Sequence, residues 1–212
     1  MRFRDRRHAG ALLGADLAEL DPSEPVVYAL PRGGVPVGFE VGLALGCPLD
    51  VLVVRKIGVP FQPELAMGAL AEGAVIIRNE DVLRMAGIDA GTFDSVVAIE
   101  QRELDARVGA YRSVAEPISP DGHTAIVVDD GLATGSTARA AVEVLREKGA
   151  ASVWLAAPVA PRQGLEDLER SADRLVILSR PAGFGAVGYW YRDFAQTSDE
   201  EVRSLLAGSR LA

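Results

Sequence analysis

The chain has 212 residues, 49% of them hydrophobic, and a formal net charge of −8. That is enough for one domain with a sizeable core and appendages, while no apolar run reaches membrane-spanning length and the acidic balance argues against a nucleic-acid partner. The opening MRFRDRRHAG is charged where a secretory leader is apolar, and Cys47 is the only cysteine. Internal disulfides and multi-cysteine metal sites are excluded, and a cytoplasmic protein with no membrane partner is expected.

In chain order, short runs rich in valine and isoleucine predict buried strands at Pro25–Leu30, Leu49–Val54, Ala74–Ile77, Thr124–Val128, Ser152–Ala157 and Arg174–Leu178. Helical stretches are predicted at Val35–Leu45, Thr92–Tyr111, Ser136–Glu147 and Arg162–Ser171. Ser136 offers an N-cap hydroxyl, and Gly149 a C-terminal stop. Strands alternating with helices imply an α/β fold, a mostly parallel doubly wound sheet covered on both faces, with ligands beyond the carboxyl ends of its strands. Two regions break the alternation within this single domain. Residues 57–112 are too long for one crossover, and their Pro- and Gly-punctuated GVPFQPELAMGAL reads as a mobile loop or insertion. The tail, 180–212, is aromatic-rich and irregular before a short helix near Asp199–Leu206, and either region could overhang the sheet.

The most ordered string is VVDDGLATGST, Val127–Thr137, in which an apolar strand ends on two carboxylates, a turn of small residues follows, and a helix begins at once. Ala133, Thr134, Gly135, Ser136 and Thr137 can aim consecutive amides and hydroxyls at one point on a helix N-terminus, where the dipole also favours an anion. Asp129 and Asp130 repel such a phosphate, but they can accept hydrogen bonds from neighbouring sugar hydroxyls or hold Mg2+. Together the halves suit a sugar phosphate. A P-loop is excluded because no Gly-Lys-Ser/Thr follows.

This segment resembles the signature of type I phosphoribosyltransferases. The resemblance implies a parallel sheet with a C-terminal hood, Mg2+ as cofactor, and transfer of a 5-phosphoribosyl group from 5-phosphoribosyl-1-pyrophosphate (PRPP) to a nitrogenous acceptor. By the same match Asp129 and Asp130 hold the ribose hydroxyls and the metal, Ala133–Thr137 hold the 5-phosphate, and a homodimer is plausible. Two further segments are similar to the family's pyrophosphate side. Pro31, Arg32, Gly33 and Gly34 follow a strand and precede a helix, where glycines let amides approach an anion and Arg32 can neutralise it. Arg55 and Lys56 end the predicted strand LDVLVVRK and resemble the basic pair that precedes the family's flexible loop.

The acceptor side is less uniform. Ala133 stands where family members acting on 6-oxopurines commonly carry an acid, which resembles the adenine and orotate branches. The tail PAGFGAVGYWYRDF instead resembles the 6-oxopurine hood, with spacing that differs by one residue. Phe184, Tyr189 and Trp190, with Tyr191 and Phe194, offer flat faces on which a base could stack. The tail's GxGxxG spacing is not a dinucleotide fingerprint, because too little chain follows for the helix, strand and acid that fingerprint needs. Glu64 is the first acid to test as a proton acceptor or donor. The alternative to a transferase is a regulator that keeps the donor site as a PRPP sensor, for which Arg2, Arg4, Arg6 and Arg7 could form a small basic patch. A third reading is a sugar-phosphate hydrolase or isomerase.

Overall fold

The structure, a computed structural model, describes residues 2–209; residues 210–212 of the expected tail lie outside it. Five strands form a wholly parallel sheet in the order β2-β1-β6-β7-β8: β1 (Pro25–Ala29), β2 (Leu49–Val51), β6 (Thr124–Val128), β7 (Ser152–Val159) and β8 (Arg174–Ser179). All five residues of β6, TAIVV, are buried, as expected of a central parallel strand roofed on both faces. Alternate residues serve opposite cores. Val27, Ala29, Ile126 and Val128 pack with α1 (Arg6–Ala18), α2 (Gly34–Leu45) and α7 (Asp199–Ser209). Val26, Tyr28, Ala125 and Val127 pack with α5 (Ser136–Glu147) and α6 (Glu166–Ser171).

Within residues 57–112 the segment GVPFQPELAMGAL, expected as a mobile loop or insertion, is largely strand, while the strand and helix expected at Ala74–Ile77 and Thr92–Tyr111 are present. A second, antiparallel sheet of β3 (Val54–Val59), β4 (Gln62–Ala71) and β5 (Val75–Arg78) leads into α3 (Glu80–Ala86) and α4 (Ala90–Arg112). The predicted strand Leu49–Val54 therefore divides: Leu49–Val51 pairs with β1, and the chain then leaves for the second sheet. Pro63 is tolerated because it lies at the start of β4, beyond the part paired with β5. Both cores run on into this sheet, through Ile57, Met67 and Leu70 on one side and Val54, Ala69 and Ala71 on the other.

A buried ion cluster fixes the second sheet to the first. Arg112, at the end of α4, donates to Asp50 on β2 at 2.6 Å and to Glu72, beyond β4, at 2.6 Å. Asp50 also accepts from the amides of Val51 and Ile118. The helix α1, absent from the sequence-based expectations, starts at Asp5, whose carboxylate accepts from the His8 amide, and lays Ala9, Leu13 and Leu17 on the core.

Candidate functional site

The connections leave β1 and β6 in opposite directions: β1 runs through α2 to β2 at one edge, and β6 runs through α5 to β7 toward the other. The crevice between their carboxyl ends is thus a topological switch point, where open α/β sheets take their ligands. The Leu30 amide donates to the Val128 carbonyl at 2.9 Å and extends the pairing to the crevice edge. There the chain enters Pro31–Gly34 on one side and Asp129–Gly135 on the other. The Pro31–Arg32 peptide is cis. The two loops touch: a Cβ placed on Gly33 would stand 2.1 Å from Asp130 Oδ2. Only glycine leaves room for that carboxylate.

The structure brings Asp129 and Asp130 together on the crevice floor, where the Asp130 amide donates to Asp129 Oδ1 at 2.8 Å. Burial, and then the neighbouring Asp130 charge, push the Asp129 carboxyl well above the ordinary carboxylate range. Asp130 is also raised by burial, against the pull of Arg6. The Arg6 Nε donates to Asp130 Oδ2 at 2.8 Å, its side chain and that of Asp130 being 12% and 14% exposed. Arg6 also donates to the Ala195 carbonyl at 2.6 Å and lies 3.9 Å over the Phe194 ring. Tyr191 completes the clasp by donating to the Asp130 carbonyl at 2.5 Å. The arginine counted in the sequence as part of a basic patch is thus the counter-charge of a site acid. Asp5 before an apolar stripe at four-residue spacing could have announced its helix, though not its partner 124 residues away.

The segment expected to cradle a phosphate lies at the start of α5, as its order of strand, turn and helix predicts, with one difference in its cap. The N-cap of α5 is Gly135, at φ 69° and ψ 7°, and Ser136 is the first helical residue. The left-handed backbone favours glycine, and α6 closes against it, since a Cβ there would meet Leu168 at 2.1 Å. The amides of the first turn have no intrahelical partner, and no acidic residue lies in that turn to neutralise the dipole. Ala133, Thr134 and Thr137 are exposed, and the Thr134 and Ser136 hydroxyls lie 3.4 Å apart. A cavity of about 410 Å3 opens here, lined by Thr134, Gly135, Ser136, Arg139 and Glu64.

The basic residues are distributed differently from the expectation. Arg55 and Lys56 lie within β3 of the antiparallel sheet rather than at the end of a parallel strand. Arg55 is held by Glu100 at 2.6 Å and Glu103 at 2.5 Å, both on α4. Lys56 pairs with Glu64 at 3.2 Å, and Glu64 itself is 87% exposed. Arg32 reaches Asp199 at 3.6 Å. A cavity of about 540 Å3 runs between Pro31 of the first loop and Thr137 of the cradle, lined also by Arg55, Lys56, Glu64, Glu100 and Arg107. Arg107 carries no motif and was not picked out from sequence.

Of the aromatic rings, Tyr191 is not a free face. It is buried with Phe3 and Val159, and stacked on Phe194 with centroids 5.0 Å apart. Phe184 and Trp190 are partly buried against the same cluster, the Trp190 indole donating to the Phe184 carbonyl at 2.8 Å. Tyr189 is the ring left open, 70% exposed. Val187–Trp190 form one 3-10 turn of the tail.

Comparison with known proteins agrees with this fold. A family model described as the phosphoribosyl transferase domain matches residues 7–189. A Mycobacterium tuberculosis protein named "Putative phosphoribosyl transferase" is 49% identical over 204 residues, covering 96% of this chain. This chain spans 46% of that relative's length. The crystal structure of TT1426 from Thermus thermophilus is 43% identical, with a TM-score of 0.93 over 98% of this chain and 99% of that one. The AQ2163 protein from Aquifex aeolicus shares the fold at 12% identity, with a TM-score of 0.51 over 95% of this chain and 85% of its own. With the doubly wound parallel sheet and the family model covering most of its length, the chain belongs to the phosphoribosyltransferase family.

Proposed function

We propose that this chain transfers the 5-phosphoribosyl group of PRPP to a nitrogenous base and releases pyrophosphate. The observation that carries the reading is the contact of Gly33 with Asp130 at the switch point, which joins a pyrophosphate loop, two sugar-binding acids and a phosphate cradle in one crevice. In this reading Thr134–Thr137 hold the 5-phosphate, and Asp129 and Asp130 accept hydrogen bonds from the ribose hydroxyls. As the bond from C1 to pyrophosphate oxygen breaks, its electron pair leaves with pyrophosphate, and the acceptor nitrogen's lone pair forms the new bond to C1. Cations aimed at the leaving group favour that departure, and Arg32 and Lys56 are the ones we assign to it. Glu64 borders both cavities and is the carboxylate to which we assign the acceptor's proton. Tyr189 is the ring assigned to stack on the base.

Asp129 and Asp130 fit Mg2+ as a partial donor set. That cation typically takes one or two carboxylates and completes its shell with phosphate oxygens and water, so the two adjacent acids would be its protein ligands. When bound, the ion would neutralise charge on the leaving group.

Calorimetric titration with PRPP and Mg2+ tests the reading. Binding is expected, and the Asp129→Asn, Asp130→Asn double variant should weaken it at least about a hundredfold, the scale of two lost charged hydrogen bonds. Absent or undiminished binding would sink the proposal. Pyrophosphate release with a panel of bases then separates the enzyme from the sensor, which would bind PRPP without turnover of any acceptor. Turnover of ribose 5-phosphate alone would favour the hydrolase or isomerase.

A further inference from the structure

Three cations and two carboxylates line the cavity between the Pro31 loop and the cradle. Arg55 is committed inside the protein, shared by Glu100 and Glu103, whereas Lys56 pairs at 3.2 Å with Glu64, which is itself 87% exposed. Arg107 has no ion pair among the described residues, so the cavity's surplus positive charge resides on it. Its helix explains the placement. Val96, Glu100 and Arg107 fall along one stripe of α4 and all three border the cavity. The acid of the stripe fastens Arg55 to the helix, and Arg107 lies two turns further on, toward the loop that carries Arg32.

A second observation ties α4 to the loop that carries Arg32. One turn beyond Arg107, the buried Tyr111 donates to Asp199 Oδ1 at 2.7 Å, and the other oxygen of Asp199 is 3.6 Å from Arg32. The charges of both arginines act on the Tyr111 hydroxyl. Arg107 of α4 and Pro31 of the glycine loop border the same cavity, so the loop that carries Arg32 and the helix that carries Arg107 meet at one space. A diphosphate needs cations that are free or loosely held, as Arg32 is by a part-exposed Asp199 at 3.6 Å, and a guanidinium can engage phosphate oxygens in bidentate fashion.

We propose that Arg107, and not Arg55, joins Arg32 in gripping the diphosphate of the donor, while Arg55 serves to fasten β3 to α4. This rests on the PRPP reading above.

The test is calorimetry with magnesium pyrophosphate, PRPP and ribose 5-phosphate on the full chain, as wild type, Arg107→Gln, Arg107→Lys and Arg55→Gln, with a thermal melt of each. Arg107→Gln, on an exposed helix position, should melt like wild type. It should bind pyrophosphate and PRPP about tenfold to a hundredfold more weakly, the effect of one lost charge-assisted hydrogen bond, and bind ribose 5-phosphate unchanged. Arg107→Lys should recover part of the loss. Arg55→Gln should lower the melting temperature more than the affinity. Pyrophosphate affinity unchanged in Arg107→Gln, or lost in equal measure for ribose 5-phosphate, would overturn this assignment and leave the PRPP reading standing. A wild-type protein that binds neither pyrophosphate nor PRPP would overturn both.

Discussion

Replacing Gly33 with alanine adds one methyl group where the two loops of the crevice meet. Its Cβ would stand 2.1 Å from Asp130 Oδ2 and 2.7 Å from the carboxyl carbon, against an optimal separation of roughly 3.5 Å. An overlap of about 1.4 Å on that scale must be relieved by moving the carboxylate or the loop. Moving the carboxylate breaks its 2.8 Å bond to Arg6, and moving the loop displaces Arg32. Overpacking of this kind costs about 1–3 kcal/mol, and in a chain of this size each kcal/mol lowers the melting temperature by about 2–4 °C. Gly33→Ala should therefore melt about 2–12 °C lower on those scales and bind PRPP more weakly, as followed by differential scanning calorimetry and isothermal titration. In an Asp130→Ala background the clash is gone, and Gly33→Ala should cost less than about 0.5 kcal/mol. A Gly33→Ala protein that melts and binds as wild type, or loses the same stability in both backgrounds, would refute the reasoning.

Other expectations follow from the same geometry. Arg6→Gln leaves Asp130 without its counter-charge and should cost about 1.5–3 kcal/mol in chemical denaturation at neutral pH; unchanged stability would show the pair to be idle. Asp129 is raised in the folded state by burial and by Asp130, so ligand-free stability is fullest below its unfolded value and falls as pH rises through the window up to the folded value. Asp129→Asn should flatten that fall, melting higher than wild type at neutral pH and converging with it below about pH 3.8; parallel pH–melting curves would contradict this. Arg112→Met strands Asp50, which is 1% exposed, together with Glu72, and should cost about 3–5 kcal/mol in urea denaturation. A loss within about 0.5 kcal/mol would mean that the cluster does not hold the two sheets together.

What was legible in the sequence is what neighbouring residues settle among themselves. A parallel strand buried on both faces is written as an unbroken apolar run, as in TAIVV, and the helix start after it follows from the small residues of Ala133–Gly135, so both could be read locally. The strands β3 and β4 could not. Their pairing depends on a partner and a register, and Gly58, Pro60 and Pro63, which punctuate the hairpin, read alone as loop. Charge was less legible still. Arg55 looked free until Glu100 and Glu103 closed on it from a helix some 45 residues away, and Arg6 looked like surface until it met Asp130 across 124 positions. The alternating fold, and the places where an anion and a sugar could be held, were set by the order of residues alone, because those depend on short-range backbone geometry. Which cations are paired within the chain was settled only once it had folded, because an ion pair is set by distance in space and the chain carries more acids than bases to choose from.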